Sequence, residues 1–120
     1  MENVKKDLIC AFTELLSQLR ILHWQTESFA RHIAYEKVYE ALESHADDFI
    51  EVYQGKNGRI KISCQPVLLN VDEDINDFID IHVNYLSNDL PISEEDIDLL
   101  AIRDEMVKEL NKLKYLLTLS

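Results

Sequence analysis

Leu8, Phe12, Leu15, Leu19 and Leu22 recur in steps of four, three, four and three, the spacing of one face of an α-helix. Ile9, Leu16 and His23 form a row beside that face. The pattern predicts a long first helix from Glu2 to about Ser28. A second helix is predicted from Phe29 or Ala30 to Gln54, with Ile33, Val38, Leu42, Phe49, Ile50 and Tyr53 turned to the core. Gly55 is its expected stop, because glycine readily takes the left-handed conformation that ends a helix. The residues leave open whether a bend at "QTES" separates the two helices. Thr26 or Ser28 would serve as N-cap of the second.

"GKNGRIKISCQPVLLNV" holds both glycines of the chain and one of its two prolines, so it reads as a long connection. Asp72 to about Ser87 is predicted as a third helix, capped by Asp72 and striped by Ile75, Phe78, Ile79, His82 and Leu86. "NDLP" then breaks the chain. Ser93 with Asp96 makes an approximate capping box for a last helix, which would turn Ile97, Leu100, Met106, Leu110, Leu113 and Leu117 inward. Four helices, the two longest at the front, predict an all-α antiparallel bundle. At 120 residues the chain is expected to be one domain, 1–120, with no internal repeat.

Charge narrows the partners. A formal net charge of −11 opposes a nucleic-acid surface, which needs clustered Lys and Arg. Cys10 and Cys64 fit no metal or redox spacing and are expected to be reduced, as in an intracellular protein. "MENVKKDLICAF" lacks the apolar core of a secretion signal, and no stretch is apolar for long enough to span a membrane. The expectation is a cytoplasmic protein with neither nucleic-acid nor membrane partners.

The second helix carries chemistry that a helix does not need. His32 and Glu36 are four residues apart, as are Asp47 and Glu51. Relative to His32, the other three lie roughly 40°, 60° and 100° round the helix, so all four share one face. The two pairs are nevertheless separated by about 22 Å along the axis, and no single metal ion reaches both. A second copy solves this. Two such helices packed antiparallel about a two-fold axis near Ala41 and Leu42 bring His32 level with Glu51 of the other copy, and Glu36 with Asp47. Ala34 and Ala41 are small enough for close approach along that seam. His23 could complete the set from the same subunit as His32. Mixed imidazole and carboxylate donors suit iron or zinc better than calcium or magnesium. An intrachain di-iron bundle would place Glu-x-x-His motifs on two of its helices, and this sequence contains none.

"LHWQTESFARH", followed by Asp47 and Glu51, resembles the ferroxidase signature of the Dps-type mini-ferritins, the match covering roughly residues 19–55. The resemblance implies a ferritin-like bundle with an intersubunit di-iron centre: His23, His32 and Glu36 from one chain, Asp47 and Glu51 from the other. It implies oxidation of Fe(II) by peroxide or dioxygen in a homodimer or larger homo-oligomer, with zinc as a substitute metal. Trp24 would stand beside the centre as a packing wall. The chain departs from the family in three respects. The segment between His23 and His32 is shorter and lacks the family's glycine turn, Glu36 replaces an aspartate, and the whole chain is short for a dodecameric cage.

Other features carry less. The acidic run of Asp72, Glu73, Asp74, Asp77 and Asp80 could attract iron, but it fits helix-dipole complementation better. It fails as an EF-hand, since Asp77 and Val83 occupy the positions of the required glycine and glutamate. His82 and Asp80 read as bundle surface and edge. The alternative to a ferroxidase is a catalytically silent ferritin-like module, such as a viral accessory protein, working by protein contact.

Overall fold

The computed structural model of the protein describes residues 7–62, 64–68, 70 and 74–119. Regular structure among them is entirely helical, in four α-helices: α1 (Leu8–Gln25), α2 (Phe29–Asn57), α3 (Ile75–Asn84) and α4 (Ile97–Leu117). α2 makes the principal packing contacts with both α1 and α4.

α1 opens on Asp7, whose carboxylate accepts from the Cys10 N–H at 2.7 Å and satisfies one of the orphan donors at the helix start. Its predicted beginning at Glu2 lies outside the described residues. All five stripe residues from Leu8 to Leu22 are buried. A bend at Thr26–Ser28 follows. Ser28, not Thr26, caps α2 by accepting from Arg31 N–H at 3.2 Å, while the Thr26 hydroxyl accepts from Ser28 N–H.

α2 runs three residues beyond its predicted end and passes straight through Gly55. Gly58 ends it instead, at φ +87°, with its N–H donating to Gln54 O at 2.9 Å. The extra turn has a tertiary cause. Lys56 forms ion pairs with Asp96 at 2.7 Å and Asp98 at 2.8 Å, at the head of α4. Val38, Leu42 and Phe49 are buried as expected, joined by Ala34, Tyr35 and Ala46. Ile33 is 37% exposed, which corrects its core assignment: it sits about 140° round the helix from Val38.

Past Gly58 the described residues form no helix until Ile75, and Ile60 N–H is held by the Gln54 side chain at 3.0 Å. Cys64, within this connection, is disulfide-bonded to Cys10, with Cα atoms 6.2 Å apart. The expectation of reduced thiols is therefore corrected, and the intracellular reading loses the support it drew from them. Spacing could not show the pair, because 54 residues and a change of element separate them.

The proposed cap of α3, Asp72, lies outside the described residues; the helix begins at Ile75. Its stripe of Ile75, Phe78, Ile79, His82 and Leu86 is buried. His82 packs on the Phe78 ring at 4.5 Å and is 3% exposed, which corrects its placement at the surface. A π-helical turn over Tyr85–Asp89 continues α3. Arg103 from α4 donates to Leu86 O at 3.1 Å, satisfying a carbonyl in that turn. Burial pushes the Tyr85 phenol up to about 12.

Asp96 accepts from Ser93 N–H at 2.9 Å, so this pair closes the turn ahead of α4 rather than capping its first turn. Leu99, Met106, Leu110, Leu113 and Leu117 face the core. Ile97 is 76% exposed and Leu100 only half-buried, a correction of about one position in register at the helix start. No helix among the described residues is long and apolar enough to cross a membrane.

Candidate metal centre

The three-residue bend sets the end of α1 against the start of α2, and the result is a closed pair of histidines. His23 Nδ1 lies 2.8 Å from His32 O, and His32 Nδ1 lies 2.7 Å from His23 O. A carbonyl oxygen only accepts, so each Nδ1 carries the proton and donates it. In the neutral form of either ring this fixes one tautomer, with the lone pair on Nε2. The rings stack with centroids 3.8 Å apart and planes within 18°. Phe29 extends the stack beyond His32, at 6.5 Å. His23 is 8% exposed and His32 half-buried. The short segment between them, which left the reach of His23 open in the sequence, is what brings the two rings together.

Glu36 follows one turn after His32 and is half-buried. Asp47 and Glu51 are exposed further along α2. A hydrogen bond that the protonated Glu51 donates to Asp47, together with the negative charge of that carboxylate, holds the Glu51 carboxyl above the ordinary glutamate range, with smaller contributions from burial and Asp48. Among the described residues of one chain, no group of three or more His, Cys, Asp or Glu side chains is placed to hold a metal ion. Of the two proposed half-sets, His23 and His32 are in contact, Glu36 follows one turn after His32, and Asp47 with Glu51 stands apart toward the far end of α2.

Two flanking expectations are corrected. Ala34 and Leu42 are buried in the chain's own core and take no part in a seam; the ligand arc is centred well round the helix from them. Trp24 is 69% exposed. It lies beside the Arg20 guanidinium at 5.9 Å, which in turn covers Tyr39 at 4.1 Å, so within one chain it walls off nothing. In the acidic run, Asp72 and Glu73 lie outside the described residues, while Asp80 is paired with Lys114 at 2.7 Å.

Sequence reasoning missed Glu40 and Glu43. With Ser44 and Asp47 they line one depression on the outer face of α2. Their spacing from Glu36 and Asp47 was the available signal: steps of four, three and four continue the ligand arc.

What is defined at this point is an all-helical set of described residues in which His23 at the end of α1 meets His32 at the head of the longest helix, α2, and α2 carries a carboxylate pair on its solvent face. The chain belongs to the Family of unknown function (DUF5856), which matches residues 23–117, from His23 to the end of α4. No curated protein and no solved structure matches the chain.

Proposed function

We propose that this chain is a ferritin-like, iron-binding protein of the Dps type, an antiparallel bundle with a long connection between α2 and α3. In this reading two copies complete each metal site: His23, His32 and Glu36 from one, Asp47 and Glu51 from the other. The observation that carries it is the reciprocal His23–His32 pair. Metal-ligating histidines characteristically donate their other ring N–H to a carbonyl or carboxylate, which fixes tautomer and orientation. Here both rings do so. The donor set of imidazoles and carboxylates fits iron, with zinc as a substitute.

Fe(II) would be the substrate, oxidised by peroxide or dioxygen. The chain's own part is to bind and to balance charge. The two Nε2 lone pairs supply neutral donors, and three carboxylates per site supply the negative charge that favours the ferric product. Glu51, whose carboxyl is held above the ordinary glutamate range beside Asp47, must be deprotonated to bind a cation, which couples binding to pH. A cytoplasmic place of action belongs to this reading through Fe(II), and stands against the Cys10–Cys64 bond, which an oxidising compartment keeps formed. The test is Fe(II) oxidation, followed by absorbance, in the wild type and in Asp47→Ala/Glu51→Ala. The reading expects oxidation in the first and its loss in the second, with helical content unchanged. Equal rates would refute it.

One observation favours a second reading, a redox-silent helical module that works by protein contact. Trp24, Phe29 and Ile33, which flank the α1–α2 bend in sequence, are each exposed, and exposed apolar side chains serve docking. On that reading the two carboxylate substitutions leave partner binding intact and ease the repulsion at Glu51.

A further inference from the structure

The two ends of the Cys10–Cys64 bond stand in very different surroundings. Cys10 is the third residue of α1, only 2% exposed, and its N–H is held by the Asp7 carboxylate. Cys64 is half-buried and lies in the connection after α2. Behind it, Ile60 is tied to Gln54 and packs against the core. Ahead of it, the next buried residue among those described is Ile75, at the start of α3.

Between these anchors Ile62, Val67 and Leu68 are exposed, and so are Lys61, Gln65, Pro66 and Asn70. Among the described residues from 61 to 70, the bond from Cys64 is the only covalent or polar tie to the bundle. A strap fastened at one point opens locally when that point is cut. The bundle itself does not need the strap, because α2 packs on α1 and α4 through a core to which none of these described residues contributes. Access then decides which sulfur an incoming thiolate meets, since exchange requires direct attack on one of the two. Cys10 is enclosed, so the attack falls on Cys64.

We propose that Cys10–Cys64 is a reversible redox latch, opened by thiol reductants through Cys64 and closed by small disulfides. A reductant thiolate bonds to Cys64 Sγ as the Cys10–Cys64 bond breaks. The electron pair of that bond leaves on the Cys10 sulfur, which takes a proton from water. A second reductant thiolate attacks the reductant's sulfur in the mixed disulfide and expels the Cys64 thiolate. The protein gains two electrons, and two reductant thiols become one disulfide. Closure is the same exchange in reverse. The latch involves no metal and stands independently of the iron reading. It gives the chain two forms, with the strap free among cytosolic thiols and fastened in an oxidising compartment.

The test uses glutathione as reductant on the native, oxidised full-length protein, quenched with acid, alkylated after denaturation and mapped by mass spectrometry. The mixed disulfide should form on Cys64 and not on Cys10. A glutathione buffer at cytosolic poise should reduce the bond while the helical content, read by circular dichroism, stays unchanged. Trypsin, which cuts after Arg59 and Lys61, should cleave the reduced, alkylated protein about tenfold faster than the oxidised one, because cleavage follows the population of the open form. Cys64→Ser should be cut as fast as the reduced wild type in either buffer. Glutathione found on Cys10 overturns the proposal. So does a bond that resists this buffer until urea unfolds the chain, or a reduced protein that loses its helices, since either makes the bond a structural staple. Equal trypsin rates in the two redox states overturn release of the strap.

Discussion

Cutting the Cys10–Cys64 bond is the sharpest perturbation of the fold. Cys10 is buried in the first turns of α1, and Cys64 is a half-buried residue of the connection after α2. The bond closes a loop across 54 positions that contains the whole bend and all of α2. Chain-entropy reasoning for a loop of that length gives about 4 kcal/mol of stabilisation at 25 °C, through restriction of the unfolded state. A chain of this size unfolds with an entropy of about 0.25 kcal/mol/K, so the melting temperature should fall by roughly 15 °C. Cys64→Ser is the preferred variant, because it opens the bond without leaving a cavity at Cys10. Urea and thermal unfolding, followed by circular dichroism, should show the variant and the fully reduced wild type matching each other, both below the oxidised wild type by this margin. Two free thiols titrating in the folded, air-oxidised protein would refute the reasoning. So would a stability that ignores reductant.

Four further outcomes follow from particular residues. Gly55→Ala should stabilise by about 0.5–1 kcal/mol, since Gly55 is helical with nothing within 4 Å of an added Cβ, whereas Gly58→Ala should destabilise by about 1 kcal/mol because of its positive φ; urea midpoints separate the two signs. Glu51 has a raised carboxyl, so the proton it binds more tightly in the folded state stabilises fully below the ordinary glutamate range, and that contribution is lost as pH rises through the folded value. Glu51→Gln should accordingly be at least as stable as wild type at pH 7, with the difference closing on acidification. Asp96 and Asp98 are held below the ordinary aspartate range, first by hydrogen bonds from Lys56, so their contribution is present above that range and disappears as pH falls through their folded values; Lys56→Met should flatten this acid limb of a pH–stability profile. His32→Gln should weaken Zn(II) binding by about 10- to 100-fold through loss of one donor and release of the His23 ring, as calorimetry would show.

Legibility in the sequence followed locality. The α1 stripe and the α3 stripe were readable because each is a run of apolar residues whose period settles its face. The end of α2 was not. Gly55 and Gly58 are equivalent as local stop signals, and the choice between them lies with Lys56, whose partners Asp96 and Asp98 are some forty residues away. The start of α4 slipped for a similar reason, since Asp96 is engaged by Ser93 and Lys56 in a turn and leaves Leu99 rather than Leu100 to the core. The disulfide depends on the path of a connection that has no periodicity to read. Of the candidate site, residue types and their common arc were legible, but the mutual locking of His23 and His32 was not. It follows from where the bend falls, and Ser28 as cap was the one local signal for that.

The central claim, that each metal site is divided between two chains, is tested most directly by mixing two defective proteins. His32→Ala lacks one half-set and Asp47→Ala/Glu51→Ala lacks the other, so neither should bind Fe(II) tightly alone. In a mixed dimer one site loses both halves and the other keeps both intact. With random exchange of subunits, roughly a quarter of the wild-type sites should return, read as Fe(II) uptake by anaerobic titration and as even-numbered, metal-loaded species in native mass spectra. A mixture that binds no more than its parents, or parents that each bind as the wild type does, would contradict the account.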